Sequence, residues 1–162
     1  MVQEKQVTLS VNGRSRTGRF PAHRTLLEAL RELGHTEVKC GCEKGDCGAC
    51  AVLVDGKAVD SCLTLVWTAE GRAITTVVGL GNAQSPHPLQ KAFAESGAAQ
   101  CGYCIPGMVI AAKSLLDRNP DPGEEDVRIA LSGNLCRCTG YTKIFEAVST
   151  AAAALREEGG VR

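Results

Sequence analysis

The chain has 162 residues and a mass of 17.0 kDa, room for one medium domain or two small ones. Lysine plus arginine and aspartate plus glutamate balance at 18 each, which leaves no electrostatic footprint for nucleic acid, and no apolar run approaches the length of a membrane span. Aromatic residues make up only 4% while Ala, Val and Leu dominate the apolar positions, so the core is built from small residues and bound metal would add to its stability.

Cysteine is the outlying residue. There are nine, an odd number that speaks against a purely disulfide framework. Residues 1–20 alternate polar and apolar types without a continuous apolar leader. The expectation is a reduced, cytoplasmic setting, where clustered cysteines bind metal or carry redox chemistry.

In chain order, Val7, Leu9 and Val11 alternate with polar residues as in a half-buried strand. Asn12-Gly13 marks a hairpin, and Arg14 to Phe20 supplies the return strand, ended by Pro21. Thr25 and Glu28 have capping-box spacing for a short helix with Leu26, Leu27, Leu30 and Leu33 inward, closed by Gly34. After a cysteine-rich loop, Ala51 to Val54 reads as a strand, Asp55-Gly56 as a turn and Lys57 to Asp60 as its return. Ile74 to Val77 predicts one more strand of a small mixed sheet.

Beyond a linker near residues 78–87 the period becomes helical. The lone G-x-G at Gly79 to Gly81 lacks the third glycine of a dinucleotide site. Leu89, Phe93 and Ala94 define one helix, broken at Gly97. Pro106 suits the first turn of the next, with Val109, Ile110, Lys113 and Leu116 largely on one face and an end before Asn119-Pro120. Residues 121–125 cap a third helix carrying Val127, Ile129, Ala130 and Leu131. The last begins near Thr142 with Ile144, Phe145, Val148 and Ala152 inward, and frays from Glu157 to Gly160. The fold class is therefore α+β, with an α+β unit over residues 1–80 and a helical unit over 86–162.

The cysteines fall into two groups. Cys42, Cys47 and Cys50 have the C-x4-C-x2-C spacing of a plant-type [2Fe–2S] site, and Cys62 follows as the fourth ligand. Gly41, Gly45 and Gly48 let that loop wrap tightly and aim backbone N–H groups at sulfur. Cys40 stands outside the spacing and reads as a small apolar filler. The helical hairpin brings Cys101 and Cys104 back to Cys136 and Cys138, so that these four thiols meet at one end of it. On spacing alone this second group fits tetrathiolate zinc as well as a cluster, and the neighbouring plant-type pattern favours the cluster. His23, His35 and His87 lack the spacing of a Rieske centre or a His-containing zinc finger. No G-x-S-x-G, H-E-x-x-H or Walker loop is present, and Glu124 to Asp126 reads as a solvated helix start.

Three blocks, GCEKGDCGAC, QCGYCIPGM and LSGNLCRCTGYTKI, closely resemble the small subunit of molybdenum hydroxylases, which carries two [2Fe–2S] clusters. That family includes xanthine dehydrogenase and aldehyde oxidoreductase, and the resemblance runs from about Val7 to Ala152. It implies a β-grasp ferredoxin-like domain followed by a four-helix bundle. It also implies a cluster on Cys42, Cys47, Cys50 and Cys62 facing the FAD of a medium subunit. A second cluster on Cys101, Cys104, Cys136 and Cys138 would lie beside the molybdopterin of a large subunit, with Gln100 and Cys138 nearest the pterin. The length matches the separate-subunit form, in a heterotrimer or its dimer. Substrate would be hydroxylated at molybdenum on the partner, this chain relaying electrons only. The competing readings are a stand-alone ferredoxin-like carrier, which would want a strongly charged surface, and a zinc-stabilised interaction module.

Overall fold

The computed structural model describes residues 3–159. Strands β1 (Glu4–Val11) and β2 (Arg14–Pro21) form the first hairpin, and Asn12 and Gly13 between them both take positive φ, 51° and 72°. That is the backbone a tight two-residue turn between twisted strands requires. Helix α1 (Leu26–Glu32) starts on the expected reciprocal cap: Glu28 N–H donates to Thr25 Oγ1 at 3.2 Å and Thr25 N–H to Glu28 Oε2 at 2.8 Å. β3 (Ala51–Val54), β4 (Lys57–Asp60) and β5 (Ala73–Thr75) complete a five-stranded sheet in the order β2-β1-β5-β3-β4. β5 runs parallel to β1, and the other pairings are antiparallel. One apolar face of the sheet, with Val7, Leu9, Val11, Val52 and Ile74, closes on Leu26, Leu27 and Leu30 of α1.

The last strand is shorter than its apolar pattern suggests. It stops at Thr75, and Val77–Gly79 forms a 3₁₀ turn. Thr76 N–H leaves the ladder for Asn12 Oδ1 at 2.8 Å, while Thr76 Oγ1 donates to Glu37 Oε1 at 2.7 Å. Side-chain partners thus replace strand pairing.

Four helices follow: α2 (Pro88–Glu95), α3 (Ile105–Leu116), α4 (Glu124–Leu131) and α5 (Tyr141–Gly159). They enclose a second core around Leu89, Phe93, Met108, Leu131, Ile144 and Val148. Three expectations of facing are corrected. α3 is buried nearly all round, Met108, Ala112 and Leu115 included, because it packs on β3 and β4 as well as on α2 and α4. In α4 Val127 and Leu131, four residues apart, are buried and Ala130 packs half-buried beside them, whereas Ile129 is 63% exposed. In α2 it is Ala92, not Ala94, that turns into the core. α5 stays helical through Glu157 and Glu158 instead of fraying there, and Gly160 lies outside the described residues.

The two cores meet where α3 crosses the loop before β3. A Cβ on Gly107 would drive into the carbonyl oxygen of Gly48 and lie 3.1 Å from Ala49 Cα, so only glycine permits this approach.

Candidate metal centres

The loop from Cys40 to Cys50 has no regular structure; its path is set by turns and by donors aimed at sulfur. Glu43, Gly45 and Gly48 take positive φ, which bends the chain around a centre. A Cβ on Gly41 would sit 2.7 Å from Cys47 Sγ, so the loop is moulded to its own sulfurs. Asp46 N–H donates to Cys42 Sγ at 3.3 Å. The Lys44 N–H is the strongest influence on Cys42 and, joined by the Cys47 thiol and the amides of Asp46 and Cys47, brings this thiol down to about 7. Burial pushes Cys62 up to about 12, with the Cys50 thiol adding to the rise. The thiols of Cys42 and Cys47 lie close enough to act on each other's protonation, as do those of Cys50 and Cys62, and Cys50 Sγ donates to Asp60 Oδ1 at 3.7 Å.

The second group forms at the mouth of the helical half. Cys101 and Cys138 lie close enough to act on each other's protonation, as do Cys104 and Cys136. The Tyr103 N–H holds Cys101 below the usual thiol range, whereas burial at the start of α3 pushes Cys104 up to about 12. For Cys136 burial acts upward, but the amides of Gly140, Cys138 and Thr139 outweigh it. Backbone donors on a sulfur favour its thiolate, the form that ligates metal. Gln100 is exposed at the same mouth, its Nε2 beside Gly140.

Among the described residues no three His, Cys, Asp or Glu side chains converge tightly enough for a single metal ion; the eight thiols meet in pairs. The Cys40 thiol donates to Glu43 Oε1 at 3.2 Å, a polar contact in place of the apolar filler that its spacing suggests. His23 is exposed, His35 pairs with Glu37 at 3.0 Å, and His87 caps α2 by accepting from Leu89 N–H at 3.2 Å.

Sequence reasoning missed the residues that join the two groups. Leu135 N–H donates to the Cys47 carbonyl at 3.0 Å, and Asn134 Nδ2 donates to the Gly48 carbonyl at 3.1 Å. Tyr141 Oη accepts from Cys136 N–H at 2.8 Å and donates to the Asn134 carbonyl at 3.3 Å. Tyr103 Oη donates to the Cys40 carbonyl at 2.7 Å. Between the groups lies a cleft of about 370 Å³ whose walls include Cys42, Cys47, Cys136, Arg137 and Tyr103. The partners that cross from one half to the other are remote in sequence, and no local pattern announces them.

Residues 9–74 match the family described as 2Fe-2S iron-sulfur cluster binding domain, and residues 76–149 match the [2Fe-2S] binding domain. The chain is 48% identical over 143 residues to the nicotinate dehydrogenase small FeS subunit of Eubacterium barkeri, covering 88% of this chain and 91% of that one. The chain belongs to the small iron–sulfur subunits of the molybdenum hydroxylases. Aldehyde oxidoreductase of Megalodesulfovibrio gigas is 47% identical over 93% of this chain, which spans only 17% of that longer protein. The crystal structure of quinoline 2-oxidoreductase from Pseudomonas putida 86 contains a chain that superposes with a TM-score of 0.89 at 43% identity, covering 96% of this chain and 98% of that one. An all-thiol donor set, amides aimed at sulfur and a glycine-moulded loop fit the [2Fe–2S] groups that this family binds. No described helix is long and apolar enough to cross a membrane.

Proposed function

We propose that residues 1–80 form a β-grasp domain holding one [2Fe–2S] cluster on Cys42, Cys47, Cys50 and Cys62. Residues 86–162 form a four-helix bundle holding the second on Cys101, Cys104, Cys136 and Cys138. Each cluster, when bound, supplies a one-electron carrier. The chain is thereby the electron-transfer subunit of a molybdopterin-dependent hydroxylase. Its partners are a large subunit carrying molybdopterin and a medium subunit carrying FAD, in a cytoplasmic heterotrimer or its dimer. Gln100 and Cys138 take the position nearest the pterin, on the exposed mouth of the helical half. The substrate is bound and oxidised on the large subunit.

The chain's own residues provide thiolates, the amides that stabilise them and a fixed spacing between the two sets. The observation that carries the reading is the backbone bond from Leu135 N–H to the Cys47 carbonyl, which joins a ligand of one group to the residue before a ligand of the other. Large apolar side chains stand exposed beside both groups: Leu63 at 63%, Leu135 at 55% and Tyr103 at 47%. Such residues around redox sites, on a chain of zero net charge, suit permanent docking better than transient steering.

The test is purification of the tagged chain from its native host under gentle conditions, with molybdenum and flavin assayed on the intact particle. A stable complex containing both, at one of each per copy of this chain or nearly so, is the expected result. A monomer that carries its clusters alone and reduces diverse acceptors would establish the free carrier instead.

A further inference from the structure

The junction between the thiol groups is narrow and assembled from three consecutive residues. Asn134 sends its side-chain amide to the Gly48 carbonyl, Leu135 sends its N–H to the Cys47 carbonyl, and Cys136 N–H goes to Tyr141 Oη. Adjacent carbonyls of one ligand loop are thus held by adjacent residues leading into the other. Asn134 is 6% exposed, and its contact with Gly48 spans 86 positions of sequence. Its own backbone is tied at both ends: Asn134 N–H donates to the Leu131 carbonyl at 2.9 Å, and its carbonyl accepts from Tyr141 Oη. The fit is close, since a Cβ on Gly48, whose φ is +65°, would press into the Asn134 amide and come within 2.6 Å of the Gly133 carbonyl.

We propose that Asn134 is the positioning residue of the inter-cluster path, anchoring the Gly48–Ala49 peptide directly after the one that carries the Cys47 carbonyl, so that this carbonyl stays facing Leu135 N–H. The inference rests on the assignment of both clusters to the eight thiols. An electron crosses a hydrogen bond far more readily than an open gap, so the path from Cys47 through Leu135 to Cys136 depends on keeping this contact closed. A carbonyl held on one side only swings with its peptide plane. The Asn134 amide fixes the next peptide plane along, and with the chain held on the far side of Gly48 the Cys47–Gly48 plane has less freedom to turn. Leu135 is itself exposed and supplies no side-chain anchor, which leaves the neighbouring buried amide to do so.

The test uses the purified holo-complex of wild type, Asn134→Asp and Asn134→Leu. Iron and labile sulfide are assayed, both clusters are titrated by potential, and the rate at which an injected electron equilibrates between them is followed after flash reduction. Asn134→Asp keeps the shape but cannot donate to Gly48; Asn134→Leu removes the polar group. Both variants are expected to keep full iron and unchanged midpoint potentials while equilibration slows by roughly tenfold or more. An unchanged rate overturns the proposal. Loss of a cluster in both variants also overturns it, because Asn134 would then hold the loop together instead of aligning a contact. A wild-type complex without two clusters marks a failure of the underlying assignment, which the iron assay alone reveals.

Discussion

Replacing Cys104 with serine is expected to halve the iron and labile sulfide of the chain and to abolish one of its two cluster signals. Cys104 is 8% exposed and belongs to the helical core with Met108 and Ile144, at the N-cap of α3. Its burial opposes the charged form, so the thiolate exists there only when metal draws off the proton. A serine hydroxyl is a harder and far more basic donor, and it leaves three thiolates around an incomplete centre. With the path broken at one station, electron delivery from molybdenum to the acceptor should fall at least about 100-fold. Cys40→Ser is the matched control: its thiol bonds Glu43, outside the ligand set, and iron content should not change. Iron assay and redox spectra of the two variants decide the point. Full iron in Cys104→Ser, or loss in Cys40→Ser, would mean that the ligands are wrongly assigned.

The second large effect falls on a residue without chemistry. Gly107→Ala should lower the thermal midpoint of the loaded complex by several degrees. Alanine in a helix is intrinsically better than glycine by about 1 kcal/mol. Here the new methyl would strike the Gly48 carbonyl and crowd Ala49 Cα, both backbone, so no side chain can swing aside. Overpacking of this kind costs about 1–3 kcal/mol, enough to outweigh the helical gain. The strain falls on the peptide that carries the Asn134 contact, so destabilisation should be accompanied by slower electron transfer between the clusters. Gly133→Ala offers the contrast, since a Cβ there meets open space, and it should shift stability by no more than about 0.5 kcal/mol. Equal thermal midpoints for the two variants would show that the halves are not pressed together at Gly107.

Much of the local architecture is legible in the chain because its signals are short-range. Asn12-Gly13 and Asp55-Gly56 sit in turns with positive φ, and Thr25 with Glu28 makes the reciprocal cap. The cysteine spacing suggests which thiols belong together, and all eight lie in the loops and turns that such spacing requires. What could not be read depends on packing between distant parts. The inward face of α3 is nearly the whole helix because sheet and helices enclose it, and periodicity assumes one wet side. Ile129 follows the apolar pattern of α4 yet faces out, and it is one of the exposed apolar residues that a partner surface could cover. Asn134 resembles any polar residue after a helix. Its role follows from Gly48, placed against it by the meeting of two cores.

The central claim is that both thiol groups hold [2Fe–2S] clusters in one electron path. EPR of the dithionite-reduced complex, titrated by potential with metal content determined on the same sample, tests it most directly. The expected result is two distinct cluster signals with about four iron atoms per chain, one signal broadened by a neighbouring paramagnet on the partner. A single signal with one equivalent of zinc would contradict it, leaving the helical half as a structural module and the path without its molybdenum end.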